Sequence, residues 1–279
     1  MEQTKISLTD LHNDLLLLII INCNDLSKFV LHFVSKKFRM LTLDNKNNRD
    51  LGTGVGTSFV MYFIRECKSN YPLWGNTKNK LCDLAATEGE LSILKWFRFN
   101  KYEWNADTCA NAALNGHLKV LKWVHQNGCP WDEDTCANAA LNGHLKVLKW
   151  VHQNGCPWNK DTCANAALNN HLRLLKYANQ NGCSWNKVTC TNAAKYGHLD
   201  VLKYVHENGC PWDVNTCSFA AENGYLDVLK YAHANGCPWD EYTCSFAAEN
   251  GYLDVLKYAH ENGCLWMKKH VVLLPKMVI

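Results

Sequence analysis

Thirteen of the fifteen cysteines fall on two combs with a fixed step of 27 residues: Cys82, Cys109, Cys136, Cys163, Cys190, Cys217 and Cys244, then Cys129, Cys156, Cys183, Cys210, Cys237 and Cys264. Trp104, Trp131, Trp158, Trp185, Trp212, Trp239 and Trp266 keep the same step. A strict period of this length means a stack of like units, each too small to bury its own apolar face, so that neighbours supply one continuous core. The units are cut at 81–107, where the pattern is degenerate, then at 108–134, 135–161, 162–188, 189–215, 216–242 and 243–269. With 47% hydrophobic and 20% charged residues, the 279-residue chain has the apolar content for such a core and too little charge to stay disordered.

Each unit reads as two short helices. Thr108 sits before an apolar stretch as a helix N-cap, and Ala112-Ala113 offer a small-residue face for close packing. Asn115-Gly116 break that helix. A second begins near His117, with Leu118, Val120, Leu121 and Val124 on one face of a 3.6-residue period. Asn127-Gly128 end it, because Gly accepts the left-handed conformation of a C-terminal cap. Cys129-Pro130-Trp131 then turn the chain into the next unit. The fold class expected is all-α.

In this frame Ala112-Ala113, Gly116-His117-Leu118, Val120-Leu121 and Gly128-Cys129 match the ankyrin consensus in order, and the match recurs down the array. The chain therefore resembles ankyrin-repeat proteins, which implies an ankyrin-like helical solenoid of shortened 27-residue repeats. The family unit has six more residues, and all of them would fall between Gly128 and Thr135, where the family carries its β-hairpin finger. The Asn-Gly-Cys-Pro-Trp variant looks most like arrays encoded by large DNA viruses that infect amoebae. In the family, first helices line the concave face. The resemblance thus assigns partner reading to Asn111, Leu114, Asn138, Leu141, Asn165, Leu168, Asn192, Lys195, Phe219, Glu222, Phe246 and Glu249. The plain alternative is drift after duplication.

Residues 1–45 do not follow the frame. Leu11 to Ile19, then Val34 to Arg39, read as helices joined by the polar break Asn22-Cys23-Asn24-Asp25. This resembles the F-box, with His12, Ser35 and Phe38 where that family usually has Pro, Cys and Trp. The resemblance implies docking on a Skp-type adaptor of a cullin ubiquitin ligase through Leu11, Leu15, Leu16, Ile19, Val34 and Phe38. A helical cap shielding the first repeat is the alternative. Residues 46–80 read as a linker and a degenerate half-repeat, 81–269 as the array and 270–279 as a tail or cap.

Several chemistries are tempting and poorly supported. Zinc takes thiolate and imidazole ligands, but Cys129 and Cys136 stand a full loop apart, and His171 and His198 give way to Tyr225 and Tyr252 in later units. Small buried thiols filling gaps between helices are the better reading, so no metal and no cofactor are expected. A catalytic Cys-His pair needs one distinctive site, and the array repeats many equivalent ones. Leu51-Gly52-Thr53-Gly54-Val55-Gly56 lacks the Gly-Lys-Ser/Thr ending of a phosphate loop. The tryptophan comb, recurring beside Pro in the turn, reads as packing.

Charge narrows the partners. A net charge of +3 provides no polycation for nucleic acid, and the longest apolar run, Leu15 to Ile21, is far short of the roughly 20 residues of a membrane span. Met1-Glu2-Gln3 and the acids before the apolar run are wrong for a signal peptide, so the cytosol is expected, that of a host cell if the origin is viral. Residues 108–188 carry a net +4 and residues 189–264 a net −6. A partner reading that gradient would lay its basic part on the later units, with Phe219 and Phe246 as apolar anchors. The expectation is a monomeric, non-enzymatic interaction module that recruits a target for ubiquitination, or a scaffold that masks or tethers a host protein without a ligase.

Overall fold

A computed structural model describes residues 78–99 and 101–265. The F-box-like segment and its six docking residues, most of the linker and the C-terminal tail lie outside the described residues. Every regular element among the described residues is an α-helix, as the period implied. The chain divides between Trp104 and Asn105 into two compact units, each described by itself.

The first unit contributes α1 (Lys78–Thr87) and α2 (Leu91–Phe99), packed as a hairpin. Cys82, Ala85 and Ala86 are buried on α1, and Leu94 and Phe97 on α2. Arg98 finishes the hairpin: its Nη1 donates to the Tyr102 carbonyl at 2.7 Å, and its guanidinium lies 3.9 Å above the Trp104 ring.

The second unit holds six helix pairs: α3 (Ala106–Leu114) with α4 (Leu118–Gln126), α5 (Glu133–Leu141) with α6 (Leu145–Gln153), α7 (Lys160–Leu168) with α8 (Leu172–Gln180), α9 (Lys187–Lys195) with α10 (Leu199–Glu207), α11 (Val214–Glu222) with α12 (Leu226–Ala234), and α13 (Glu241–Glu249) with α14 (Leu253–Glu261). Each pair packs within itself and against its neighbours. Successive first helices lie close because the surfaces between them are made of Ala112, Ala113 and their equivalents, all fully or nearly fully buried. Successive second helices touch far less and form the outer, wider row. Their apolar stripes, such as Val120-Leu121-Val124 and Val147-Leu148-Val151, fill the space between the rows.

Capping residues mark the start of the first helices and the end of the second, though the first-helix cap differs from the sequence expectation. Thr108 and its equivalents do not cap the first helix; they lie three residues inside it with buried side chains. The cap is the Asn or Asp three residues earlier. Asp132, Asn159, Asn186, Asp213 and Asp240 take an extended backbone, and each side chain accepts from the backbone N–H two residues on. The helix gains a turn, and the threonine N–H is bonded to the cap residue's carbonyl, at 3.1 Å for Thr135. At the C-terminus of α4, Gly128 has φ +82; its N–H donates to the His125 carbonyl and the Cys129 N–H to the Val124 carbonyl, which is a Schellman closure.

Candidate interaction faces

Two rows of side chains face solvent, and the structure separates those that hold the stack together from those that do not. On the first-helix row, Asn138 Nδ2 donates to the Ala110 carbonyl at 3.4 Å, Asn165 Nδ2 to Ala137 at 3.1 Å and Asn192 Nδ2 to Ala164 at 3.0 Å. Each amide is thus tied to the preceding unit. The half-buried side chains of Leu114, Leu141 and Leu168 stand one turn further along the same stripe, and Asn111 opens the row on α3.

The ends of the first helices carry a second set of ties. Asn142 Nδ2 and His144 Nε2 both donate to the Leu114 carbonyl, at 2.7 and 3.0 Å. Asn169 and His171 repeat this at Leu141, at 2.7 and 3.2 Å, and His198 reaches Leu168 at 3.1 Å. Helix C-termini leave carbonyls without intrahelical partners, and here the next unit supplies the donors. The Gly of Asn115-Gly116 and of Asn142-Gly143 makes room for the ring: Gly116 has φ +73, and a Cβ there would lie 2.7 Å from the His144 ring. This bridging role of His144, His171 and His198 was not expected from the sequence, where the histidines counted only against a metal site.

From α9 onward the row changes character. Phe219 and Phe246 occupy the place of the bracing asparagines, and a phenyl ring has no donor for the preceding unit's carbonyl. Lys195 Nζ lies 5.4 Å from the Phe219 ring and 5.8 Å from the Tyr196 ring, and Tyr242 lies 5.8 Å from Phe246. Val188, Tyr196 and Tyr242 are 42%, 44% and 48% exposed, high for large apolar side chains within the stack. Glu222 is half-buried and Glu249 exposed on the same stripe. Val188, Tyr196 and Tyr242 were not among the expected partner-reading residues. The signal was present: the position before the repeat threonine reads Asp107, Asp134, Asp161, Val188, Asn215 and Tyr242.

The outer row is built from aromatic stacks. His125 lies flat on Trp131 at 3.6 Å, Trp150 of the next unit stands edge-on to both, and Lys122 caps the Trp150 ring at 5.8 Å. The arrangement recurs with His152, Trp158 and Tyr177, with His206, Trp212 and Tyr231, and with His233, Trp239 and Tyr258. Asn179 stands in for the histidine once and donates to the Tyr204 hydroxyl at 3.2 Å. Trp131, Trp158, Trp185, Trp212 and Trp239 therefore pack successive units together.

Both cysteine combs close the repeats from inside. The Cys129, Cys156, Cys183, Cys210, Cys237 and Cys264 thiols donate to the carbonyl of the first helix's cap residue at 3.2 to 3.4 Å. Cys136, Cys163, Cys190, Cys217 and Cys244 point at the carbonyl of the partner cysteine twenty residues on, at 3.7 to 4.0 Å. The hydrogen bond that the Cys136 thiol donates to Cys156, and then burial, push Cys136 well above its ordinary range. Burial first, then the Asp83 carboxylate, pushes Cys82 up to about 12. Neutral thiols of this kind are packing groups with poor nucleophilicity. Among the described residues no three His, Cys, Asp or Glu side chains gather as a metal ligand set, and no helix is long and apolar enough to cross a membrane.

No protein-family model matches the chain. No curated protein matches it either. Among solved structures, the chain is similar to the ankyrin repeat domain of human ASB11, at 16% identity and a TM-score of 0.47, over 56% of this chain and 84% of that one.

Proposed function

We propose that the repeat array is a protein-binding module whose partner docks on the first-helix row, chiefly on the aromatic stretch from α9 to α13. The observation that carries this is the exchange at Phe219 and Phe246. Two successive units give up the amide tie to their neighbour and present a half-buried ring, that of Phe246 beside exposed Tyr242, on the row that also carries exposed Val188. The exchange costs the stack two amide ties, and an aromatic cluster sharing its row with Lys195, Glu222 and Glu249 has the composition of an interface hot spot. Asn111, Leu114, Asn138, Leu141, Asn165, Leu168 and Asn192 extend the same row towards the first units.

In the fuller reading the chain is the substrate receptor of a cullin-type ubiquitin ligase. Residues 1–45 hold a Skp-type adaptor, the array holds the target, and the protein itself is a cytoplasmic monomer with no catalytic step, metal or cofactor. Proximity labelling identifies the target. The triple variant Phe219→Ala, Tyr242→Ala, Phe246→Ala then weakens its binding by about 30-fold or more, the scale of losing one hot spot of ~2 kcal/mol. Undiminished binding refutes the surface. The adaptor is tested separately: its co-purification, lost on replacing Leu15, Leu16 and Phe38 by Asp, supports the ligase, and its failure to co-purify with wild type leaves a scaffold that masks or tethers its target.

A further inference from the structure

The outer row carries a second feature that neither stacking nor the aromatic cluster uses. The second residue of each outer helix is Lys119, Lys146 and Arg173 in the first three pairs of the array and Asp200, Asp227 and Asp254 in the last three, all exposed. A cation in the first turn of a helix opposes the macrodipole, and each of these three also stands i, i+3 from a second exposed cation: Lys122, Lys149 and Lys176. The same scaffold shows the arrangement that local chemistry favours. Asp200, Asp227 and Asp254 lie in the first turn with Lys203, Lys230 and Lys257 at i+3, and Asp227 Oδ1 accepts from the Val228 N–H at 2.9 Å. The unfavourable choice is kept through three consecutive units. Arg173 retains the charge in a helix where Val147, Trp150, Val151 and His152 of the preceding unit have become Leu174, Tyr177, Ala178 and Asn179.

We propose that α4, α6 and α8 form a second docking face, for an acidic polypeptide segment lying across the three outer helices. Charge complementarity selects the occupant: Lys119, Lys146 and Arg173 make no ion pair among the described residues, leaving three cations one repeat apart for carboxylates. Single-stranded nucleic acid fits poorly, because it needs open ring faces for its bases. Here the face of Trp131 is covered by His125, that of Trp158 by His152, and Lys122 and Lys149 cap Trp150 and Tyr177. This face shares no residue with the aromatic cluster, so either can fail without the other.

The test uses the full chain and two fluorescent probes of equal length, a glutamate-rich 12-residue peptide and a 12-nucleotide RNA, followed by anisotropy from 25 to 200 mM salt. The peptide is expected to bind, to weaken steeply as salt rises, and to lose at least tenfold in affinity on Lys119→Asp/Lys146→Asp/Arg173→Asp. That variant installs residues the scaffold already carries at 200, 227 and 254, so its melting temperature is expected to hold or rise. If it falls, Lys119→Gln/Lys146→Gln/Arg173→Gln reports the binding instead. Absence of peptide binding, binding indifferent to both variants, or RNA binding more tightly than peptide at the same salt overturns the proposal.

Discussion

Gly143 and Gly155 have nearly the same backbone, φ +71 and φ +84, yet they answer to different neighbours. A Cβ on Gly143 would lie 2.6 Å from Cε1 and Nδ1 of His171 in the next unit, and a Cβ on Gly155 would meet nothing within 4 Å. Alanine at either position pays the left-handed strain of roughly 1–2 kcal/mol. At Gly143 the His171 ring must also swing away, which breaks its 3.2 Å bond to the Leu141 carbonyl, about 1 kcal/mol more. Gly143→Ala should therefore destabilise by about 2–3 kcal/mol and Gly155→Ala by about 1–2 kcal/mol, read as midpoint shifts in urea unfolding followed by circular dichroism. The cycle with His171→Ala isolates the contact: in that background the cost of Gly143→Ala should fall to that of Gly155→Ala. Equal losses at the two glycines, or a Gly143 cost that His171→Ala leaves unchanged, would refute the bridging role given to the histidine.

Two further outcomes follow from the core. Leu148, fully buried between the rows in mid-array, should lose roughly 2–5 kcal/mol on replacement by Ala, and a loss under about half a kcal/mol in the same urea assay would mean the cavity is not there. The thirteen comb thiols should resist maleimide at pH 8 until urea unfolds the chain, leaving at most Cys23 and Cys67 to react beforehand. Burial raises the Cys82 thiol from 9.0 to about 12, so above pH 9 the unfolded chain loses protons that the folded chain keeps. Stability contributed by that thiol is present below pH 9 and is lost as pH climbs towards 12, and a urea midpoint flat between pH 8 and 11 would contradict it.

Where a residue's role depends on its own turn of chain, the sequence was readable. Leu148 announces its burial by helical phase, and Gly128 announces a cap because only a residue without Cβ takes φ +82 freely. The cap of the first helix is the exception, and an instructive one. Asp132 and Thr135 are both good N-caps, three residues apart, and local preference cannot rank them. The repeat closes on the earlier residue, whose carbonyl accepts from the Cys156 thiol at 3.3 Å, a contact spanning 24 residues.

The same division holds for the candidate faces. The ankyrin resemblance assigned partner reading to Asn138, Asn165 and Asn192, but each spends a donor on a carbonyl 28 residues earlier. Nothing in a single unit tells an asparagine that bonds its neighbour from one that waits for a partner, because that choice is made by atoms of the adjacent unit. The sequence alone determined the repeat, its helical pairs, its core and the change of charge along the array, since a 27-residue period and a 3.6-residue phase are properties of the chain itself. Only the tertiary structure decided which polar groups are consumed between units and which rings, Tyr242 among them, remain exposed: hydrogen bonding and burial are settled by what the stacked neighbour brings within 3 Å or so.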